Sequence, residues 1–114
     1  MDFRCNGVGG PVEALVDSGA DKCLIPGEYV EAAGVLFSGL PPLAHGAGAG
    51  GTFEKALASG RITYLGRVVC EEFEVAPPTQ LPIILLGREE FFTKFRVNFL
   101  WHRNPPVFDV DPVS

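Results

Sequence analysis

An acidic residue stands between two apolar runs near the start of the chain, and this arrangement restricts the possible folds. Ala14-Leu15-Val16 leads directly into Asp17, and apolar residues resume at Cys23-Leu24-Ile25. Short apolar runs bounded by turn residues are typical of buried strands. A carboxylate between two such strands costs free energy unless it has a partner or a chemical task. We therefore predict that Asp17 lies at the tip of a loop between two core strands.

The remainder of the chain is rich in residues that interrupt regular structure. Ten prolines and fourteen glycines occur among the 114 residues. This content favours a loop-rich, mostly β architecture over a helical bundle. The length suits one domain spanning residues 1–114, in which residues 111–114 are expected to form a loose tail. The formal net charge of -5 argues against a broad nucleic-acid-binding surface.

Neither a membrane span nor a disulfide framework is indicated. No apolar stretch approaches the ~20 residues that a spanning helix needs. The segment Met1 to Arg4 lacks the basic start and apolar centre of a signal peptide. Cys5, Cys23 and Cys70 are an odd number of cysteines, which we expect to be reduced and to fill space in the core. These features predict a cytoplasmic protein without membrane contact.

The apolar runs predict most of the strands. Asn6-Gly7 is a favourable hairpin turn. Leu81 to Leu86 is the most apolar run and is expected to be a buried central strand. The other predicted strands are Pro11 to Val16, Lys22 to Ile25, Thr52 to Ala58, Arg61 to Val69, a segment around Phe73 and Val75, Val97 to Trp101, and Val107 to Val110.

Two segments favour helix. Glu28 to Ala33 is predicted to form a single turn that ends at Gly34. Arg88 to Phe95 is predicted to be a helix, because its three phenylalanines form an apolar face. Its Glu89-Glu90 pair suits the first turn of a helix, and we expect both carboxylates to lie on a solvated face.

A glycine-rich stretch in the middle of the chain allows three interpretations. Gly46, Gly48 and Gly51 match the spacing of the dinucleotide-binding fingerprint. That fingerprint must follow a buried parallel strand and open a helix, whereas here Pro41-Pro42 precedes it. A mobile hairpin that covers a site is therefore favoured over a plain flexible loop and over a nucleotide-binding fragment.

Two distant segments together match one family. The first is Asp17-Ser18-Gly19-Ala20-Asp21, and the second is Ile83-Ile84-Leu85-Leu86-Gly87-Arg88 followed by the predicted helix. Their order and spacing resemble the retropepsin-like aspartic proteases, and the segment Val97-Asn98-Phe99 after the helix resembles bacterial members more than viral ones. The resemblance covers roughly Val12 to Phe99. It implies a retropepsin-like acid protease fold, with one lobe per chain and a single C-terminal helix.

The resemblance also implies roles for individual residues. Asp17 would be the catalytic acid, and Asp21 and Arg88 would form a buried ion pair that ties the loop to the helix. The residues implied to support the active site are Ser18, Gly19, Ala20, Asp21 and Arg88. Those implied to contact substrate from a flap are Gly46, Ala47, Gly48, Ala49 and Gly50.

The chain contains one Asp-Ser-Gly loop, which is half of an aspartic protease site. Two carboxylates about 3 Å apart cannot both ionise, and one such pair can serve as acid and base. The second carboxylate would come from Asp17 of another copy in a symmetric homodimer. We thus expect an aspartic endopeptidase that hydrolyses peptide or protein substrates without metal or cofactor. The alternative is a catalytically silent binding or assembly domain on the same fold.

Overall fold

The computed structural model describes residues 1–17, 20–48, 51–100 and 107–113, without side chains at residues 44–48, 51–53, 98–100 and 107–109. Within these residues the chain is mostly β, as predicted. The strands are β1 (Asp2–Cys5), β2 (Val8–Pro11), β3 (Ala14–Val16), β4 (Leu24–Pro26), β5 (Pro42–Gly48), β6 (Gly51–Tyr64), β7 (Arg67–Ala76), β8 (Ile84–Leu86), β9 (Phe95–Leu100) and β10 (Val107–Pro112). The helical elements are α1 (Gly27–Ala32), a 3-10 turn (Phe37–Gly39) and a π-helical turn (Arg88–Phe92).

The chain opens with the predicted hairpin. Cys5 pairs with Val8, so Asn6 and Gly7 form a two-residue turn between β1 and β2. Both turn residues have positive φ, 53° and 75°. This geometry matches the right-handed twist of the strands and suits the Asn-Gly sequence. The prediction made from these two residues is confirmed.

One large sheet positions the site. Its strands run in the order β2-β1-β6-β7-β4-β8-β3, and β5 joins it by pairing with β6. Strand β8 lies between β3 and β4, parallel to β3 and antiparallel to β4. Because β3 and β8 run in the same direction, their carboxyl ends meet at one edge of the sheet. Val16 and Leu86 are opposite each other at that edge.

The short helix α1 follows β4 and ends as predicted. Gly34 has a φ of +85° and donates its N–H to the carbonyl of Glu31, at 3.0 Å. Glycine adopts this left-handed conformation without a steric penalty, which makes it a common helix terminator. Neither α1 nor any other helix within the described ranges is long and apolar enough to cross a bilayer.

The long hairpin β6–β7 corrects two strand predictions. Strand β6 continues through Ser59 and Gly60, where the sequence predicts a break between two strands. The chain instead reverses at Leu65 and Gly66, inside the segment from Arg61 to Val69 that is predicted to be one strand. A Cβ on Gly60 would lie 2.5 Å from the carbonyl oxygen of Arg4. Glycine at this point thus permits a close approach between strands, and the expected break does not occur.

Two other strands are shorter than predicted. The strand expected from Pro11 to Val16 is divided, since β2 ends at Pro11 and β3 starts at Ala14. Between them, Val12 donates its N–H to the carbonyl of Met1, at 2.9 Å. Strand β8 occupies only the last three residues of the predicted run, and Ile84 and Leu86 within it are buried as expected.

Most of the buried side chains belong to one large core cluster. Phe73, Phe91 and Phe95 are its largest fully buried side chains. The three cysteines are reduced and buried within the same cluster, as predicted. A second, smaller cluster consists of Leu24, Ala76 and Leu81, with Leu85 packed against it.

The C-terminal part differs from the prediction in two respects. The expected helix from Arg88 to Phe95 is only the π-helical turn Arg88–Phe92, because Phe95 already pairs with Pro112 as the start of β9. The rings of Phe91 and Phe95 stack with centroids 4.8 Å apart, which joins the turn to the strand. Strand β10 also extends through Pro112, so the expected tail from residue 111 is partly strand.

Candidate active site

Asp17 lies where two parallel strands end together. Its N–H donates to the carbonyl of Leu86 at 3.1 Å, which continues the pairing of β3 with β8 by one residue. Its carbonyl accepts a hydrogen bond from the N–H of Ala20 at 3.2 Å. Asp17 is half-buried. The predicted site residues Ser18 and Gly19 lie outside the described residues.

Gly87 allows the loop after Asp17 to lie directly against the end of β8. A Cβ at Gly87 would stand 2.4 to 2.6 Å from three backbone atoms of Lys22. Real Cβ atoms do not approach backbone atoms this closely, and backbone cannot turn aside as a flexible side chain can. The glycine between Leu86 and Arg88 is therefore required by packing.

Residues 20–23 are attached to residues 88–90 by backbone and side-chain bonds, and we call these contacts the loop clasp. The N–H of Arg88 donates to the carbonyl of Ala20 at 2.8 Å, and that of Glu89 donates to the carbonyl of Asp21 at 2.9 Å. The side-chain contacts are the pairs Arg88 with Asp21, Lys22 with Glu89 at 2.7 Å, and the N–H of Cys23 with the carboxylate of Glu90 at 3.0 Å.

The predicted ion pair between Asp21 and Arg88 is present, but it is not buried in the single chain. The side chains are 65% and 60% exposed. Hydrogen bonding to Asp21 raises the pKa of the Arg88 guanidinium, and Glu89 similarly raises the pKa of Lys22. At this exposure water screens both pairs, so they contribute little to the stability of an isolated chain.

Glu90 is the site residue that the sequence interpretation missed. Glu89 is exposed, as expected. Glu90 is instead half-buried, and its carboxylate accepts a hydrogen bond from the N–H of the fully buried Cys23. An acidic residue in the first turn of a predicted helix normally faces solvent. The sequence carries no local signal for this contact, because it depends on how two segments 67 residues apart are aligned.

An apolar surface adjoins Asp17. Leu15 is 52% exposed and lies opposite Leu85 in the pairing of β3 with β8. Leu85 is half-buried and packs on the cluster that contains Leu81. Because strand side chains alternate, Leu15 and Asp17 point to the same face. The carboxylate thus has a leucine pair on its own side of the sheet.

The glycine-rich stretch forms a hairpin. Gly46, Ala47 and Gly48 of β5 pair with Phe53, Thr52 and Gly51 of β6. The predicted flap residues Ala49 and Gly50 lie outside the described residues. An antiparallel hairpin is not the strand-turn-helix of a dinucleotide site, so the nucleotide-binding interpretation is wrong.

The thiols of Cys5 and Cys70 are poorly suited to act as nucleophiles. Hydrogen bonding to Cys23 and burial raise the pKa of the Cys70 thiol. Burial likewise raises the pKa of Cys5. A protonated, buried thiol is a poor nucleophile, in line with the role in core packing predicted for the cysteines. Within the described ranges no group of three or more His, Cys, Asp or Glu residues is arranged to hold a metal ion.

Comparison with known proteins identifies the family. A family model described as aspartyl protease matches residues 1–89, and the chain therefore belongs to the aspartyl protease family. No curated protein matches the sequence.

Two solved structures share the fold. The EIAV protease in complex with the inhibitor HBY-793 is 20% identical with a TM-score of 0.61, over 82% of this chain and 84% of that one. A retropepsin-like aspartic protease from Rickettsia conorii is 20% identical with a TM-score of 0.60, over 84% of this chain and 73% of that one. The chain has the retropepsin-like fold, as the two sequence segments predicted. These scores do not separate viral from bacterial relatives.

Proposed function

We propose that the protein is an aspartic endopeptidase that acts as a homodimer, with Asp17 of each copy forming the catalytic pair. The observation that carries this proposal is the position of Asp17 at the joined ends of β3 and β8, in a chain of the aspartyl protease family. Such a position holds a carboxylate on rigid strands at the edge of the sheet, where a second copy can approach it.

The chemistry requires both copies. Two facing carboxylates share one proton, so that one is ionised and the other protonated. The ionised carboxylate removes a proton from water, and the water oxygen attacks the peptide carbonyl carbon. The protonated carboxyl group donates its proton to the carbonyl oxygen. The carboxyl group that took the water proton then donates it to the amide nitrogen, and the other carboxylate removes a proton from a hydroxyl of the tetrahedral intermediate. The C–N bond breaks, the amine and the carboxylic acid are released, and the pair again holds one proton.

Two features of the single chain suit a symmetric partner. Strands β9 and β10 form a separate two-stranded sheet within the described residues. An isolated pair of strands is marginally stable, and a second copy can add strands at its edge. The exposed pair Asp21–Arg88 lies beside the Asp17 loop, and burial in a dimer would strengthen its electrostatic attraction.

The surface beside Asp17 suits apolar substrate side chains. Leu15 and Leu85 offer contact area next to the scissile bond and carry no hydrogen-bonding groups. We propose that peptides with large apolar residues flanking the cleaved bond are preferred. The hairpin β5–β6, with Gly46 and Gly48 in β5, would close over the bound peptide as a flap, since glycines lower the cost of bending.

The test combines cleavage with molecular mass. Wild-type protein and Asp17→Asn are incubated with a mixed peptide library from pH 4 to 7, and dimer content is measured by analytical ultracentrifugation. Cleavage by the wild type alone, in proportion to dimer, is the expected result. Absence of cleavage at concentrations where dimer is present would reject the proposal in favour of a silent binding or assembly domain.

A further inference from the structure

Three consecutive residues of the π-helical turn reach three consecutive residues of the segment that follows Asp17. Arg88 contacts Asp21, Glu89 contacts Lys22, and Glu90 contacts Cys23. The first two contacts are ion pairs whose side chains are all more than half exposed. The third ends on a residue that is 0% exposed. The three contacts of the loop clasp therefore differ in solvent exposure, although all three join residues at the same separation along the chain.

The contact between Glu90 and Cys23 provides a hydrogen-bond acceptor for a buried backbone N–H. The N–H of Cys23 has been removed from water, and an unpaired buried N–H is strongly disfavoured in a folded protein. Glu90 supplies the acceptor at 3.0 Å through a carboxylate oxygen. Hydrogen bonds to a charged acceptor are roughly twice as strong as neutral ones. By contrast, exposed ion pairs such as Lys22 with Glu89 are weakened by water.

Both backbone hydrogen-bonding groups of Cys23 have partners. Its N–H is bound by Glu90, and its carbonyl accepts the N–H of Glu74 in β7 at 3.2 Å. The loop that begins at Asp17 therefore ends at a residue anchored both to the π-helical turn and to the sheet. Movement of Cys23 would be transmitted to Asp17 through only five intervening residues.

We propose that Glu90 is a positioning residue for the catalytic loop, because its carboxylate holds the Cys23 amide and thereby sets where Asp17 lies. The proposal rests on the peptidase function proposed above. Glu90 does not touch the reacting atoms. Its effect is exerted through the backbone from Cys23 to Asp17, and a small displacement of a catalytic group can cost a large part of the rate.

The test compares Glu90→Ala and Glu90→Gln with Glu89→Ala, which removes the adjacent but exposed carboxylate. Backbone amide exchange is followed at Cys23 and Ala20 in the folded protein. We expect exchange at Cys23 to accelerate about tenfold in Glu90→Ala and less than about threefold in Glu90→Gln, since the glutamine amide oxygen still accepts a hydrogen bond. Glu89→Ala should leave it unchanged within about twofold.

Steady-state kinetics, at protein concentrations that maintain the dimer, form the second arm. Glu90→Ala should lower kcat at least about tenfold with KM within about twofold, and Glu90→Gln should recover most of this loss. If Glu90→Ala does not fold, Glu90→Met replaces it, because it keeps the side-chain length without the carboxylate and leaves only a weakly accepting sulfur.

The two proposals fail in different ways. Equal exchange rates at Cys23 in the Glu89 and Glu90 variants, or an unchanged kcat, would overturn the role of Glu90. A wild-type dimer without peptidase activity would overturn the proposed function and with it any catalytic role of Glu90. Amide exchange would then still report whether Glu90 holds Cys23.

Discussion

The Asp17 loop and the β5–β6 hairpin are held by different kinds of interaction. The loop is joined to the end of β8 by backbone hydrogen bonds and by close packing at Gly87. Among the residues that the structure describes, β5 pairs with β6 alone, and β6 pairs with β7 only from Ala56 onward. The half-buried pair Lys55–Glu74, at 2.8 Å, lies where the two-stranded projection leaves the sheet.

This difference separates a fixed part from a part that can move. Backbone bonds and steric contact leave the loop few alternative arrangements, as a catalytic group requires. A two-stranded projection has few tertiary contacts, and such segments open at low free-energy cost. In the proposed function, this contrast would suit a rigid acid and a hairpin that closes over the substrate. The following variants test the contrast.

The largest effect is expected from Gly87→Ala. The added Cβ meets the Lys22 backbone, so either the loop or the end of β8 must shift. We expect the free energy of unfolding to fall by about 2–4 kcal/mol in urea denaturation. Gly39→Ala is the matched control, because nothing lies within 4 Å of its Cβ, and it should change stability by less than about 0.5 kcal/mol. Similar losses in the two variants would contradict the tight packing of the loop.

The buried thiols behind the loop predict a loss of stability in alkali. The folded state keeps Cys70 protonated, whereas in the unfolded chain this thiol ionises near its ordinary pKa of 9.0. Unfolding is therefore favoured progressively as pH rises above 9, by about 1.4 kcal/mol per pH unit for one thiol. Urea unfolding at pH 8, 9 and 10 should show a shallower decline in Cys70→Val than in the wild type. Parallel declines would mean that burial does not hold the proton on Cys70.

Arg88→Ala is expected to impair assembly more than folding. The pair with Asp21 is exposed in the single chain, so its removal should leave the melting temperature of dilute protein nearly unchanged. If the pair becomes buried in the dimer, the unpaired Asp21 should raise the dimer dissociation constant at least about tenfold. Sedimentation over a concentration series measures this. An unchanged dissociation constant would place the pair outside the interface.

The smallest effect is expected at the base of the hairpin. Lys55→Met leaves Glu74 without its ammonium partner and should loosen the projection locally. Amide exchange in residues 51–54 should accelerate about fivefold, while exchange at Ala20 stays constant. Arg61→Met, which breaks an exposed pair with Glu71, is the control. If exchange at Ala20 increases equally, the hairpin and the loop are not independent.

Much of the site could be predicted because its determinants are local. Asn6-Gly7 specifies its own turn, and the apolar runs before Asp17 and before Gly87 specify their own strands. The pairing of Asp21 with Arg88 followed from family resemblance, which carries tertiary information that periodicity lacks. The prediction that the cysteines are reduced followed from their odd number, and they are reduced and buried.

The predictions that were wrong concern features that depend on contacts between distant segments. The helix predicted from Arg88 is a single π-helical turn, since the stacking of Phe91 on Phe95 and the pairing of β9 with β10 outweigh helix propensity. Gly60 continues a strand because its partner strand β1 lies too close for a side chain at this position.

The sequence by itself determined that most of the strands exist, that Asn6-Gly7 is a turn and that an acid follows β3, because dihedral preferences and apolar periodicity act over a few residues. Only the tertiary structure decided that Glu90 faces inward to Cys23 while Glu89 faces solvent. That choice depends on the alignment of two segments far apart in the chain. Alignment of this kind results from the packing of the whole sheet, and no short stretch of sequence encodes it.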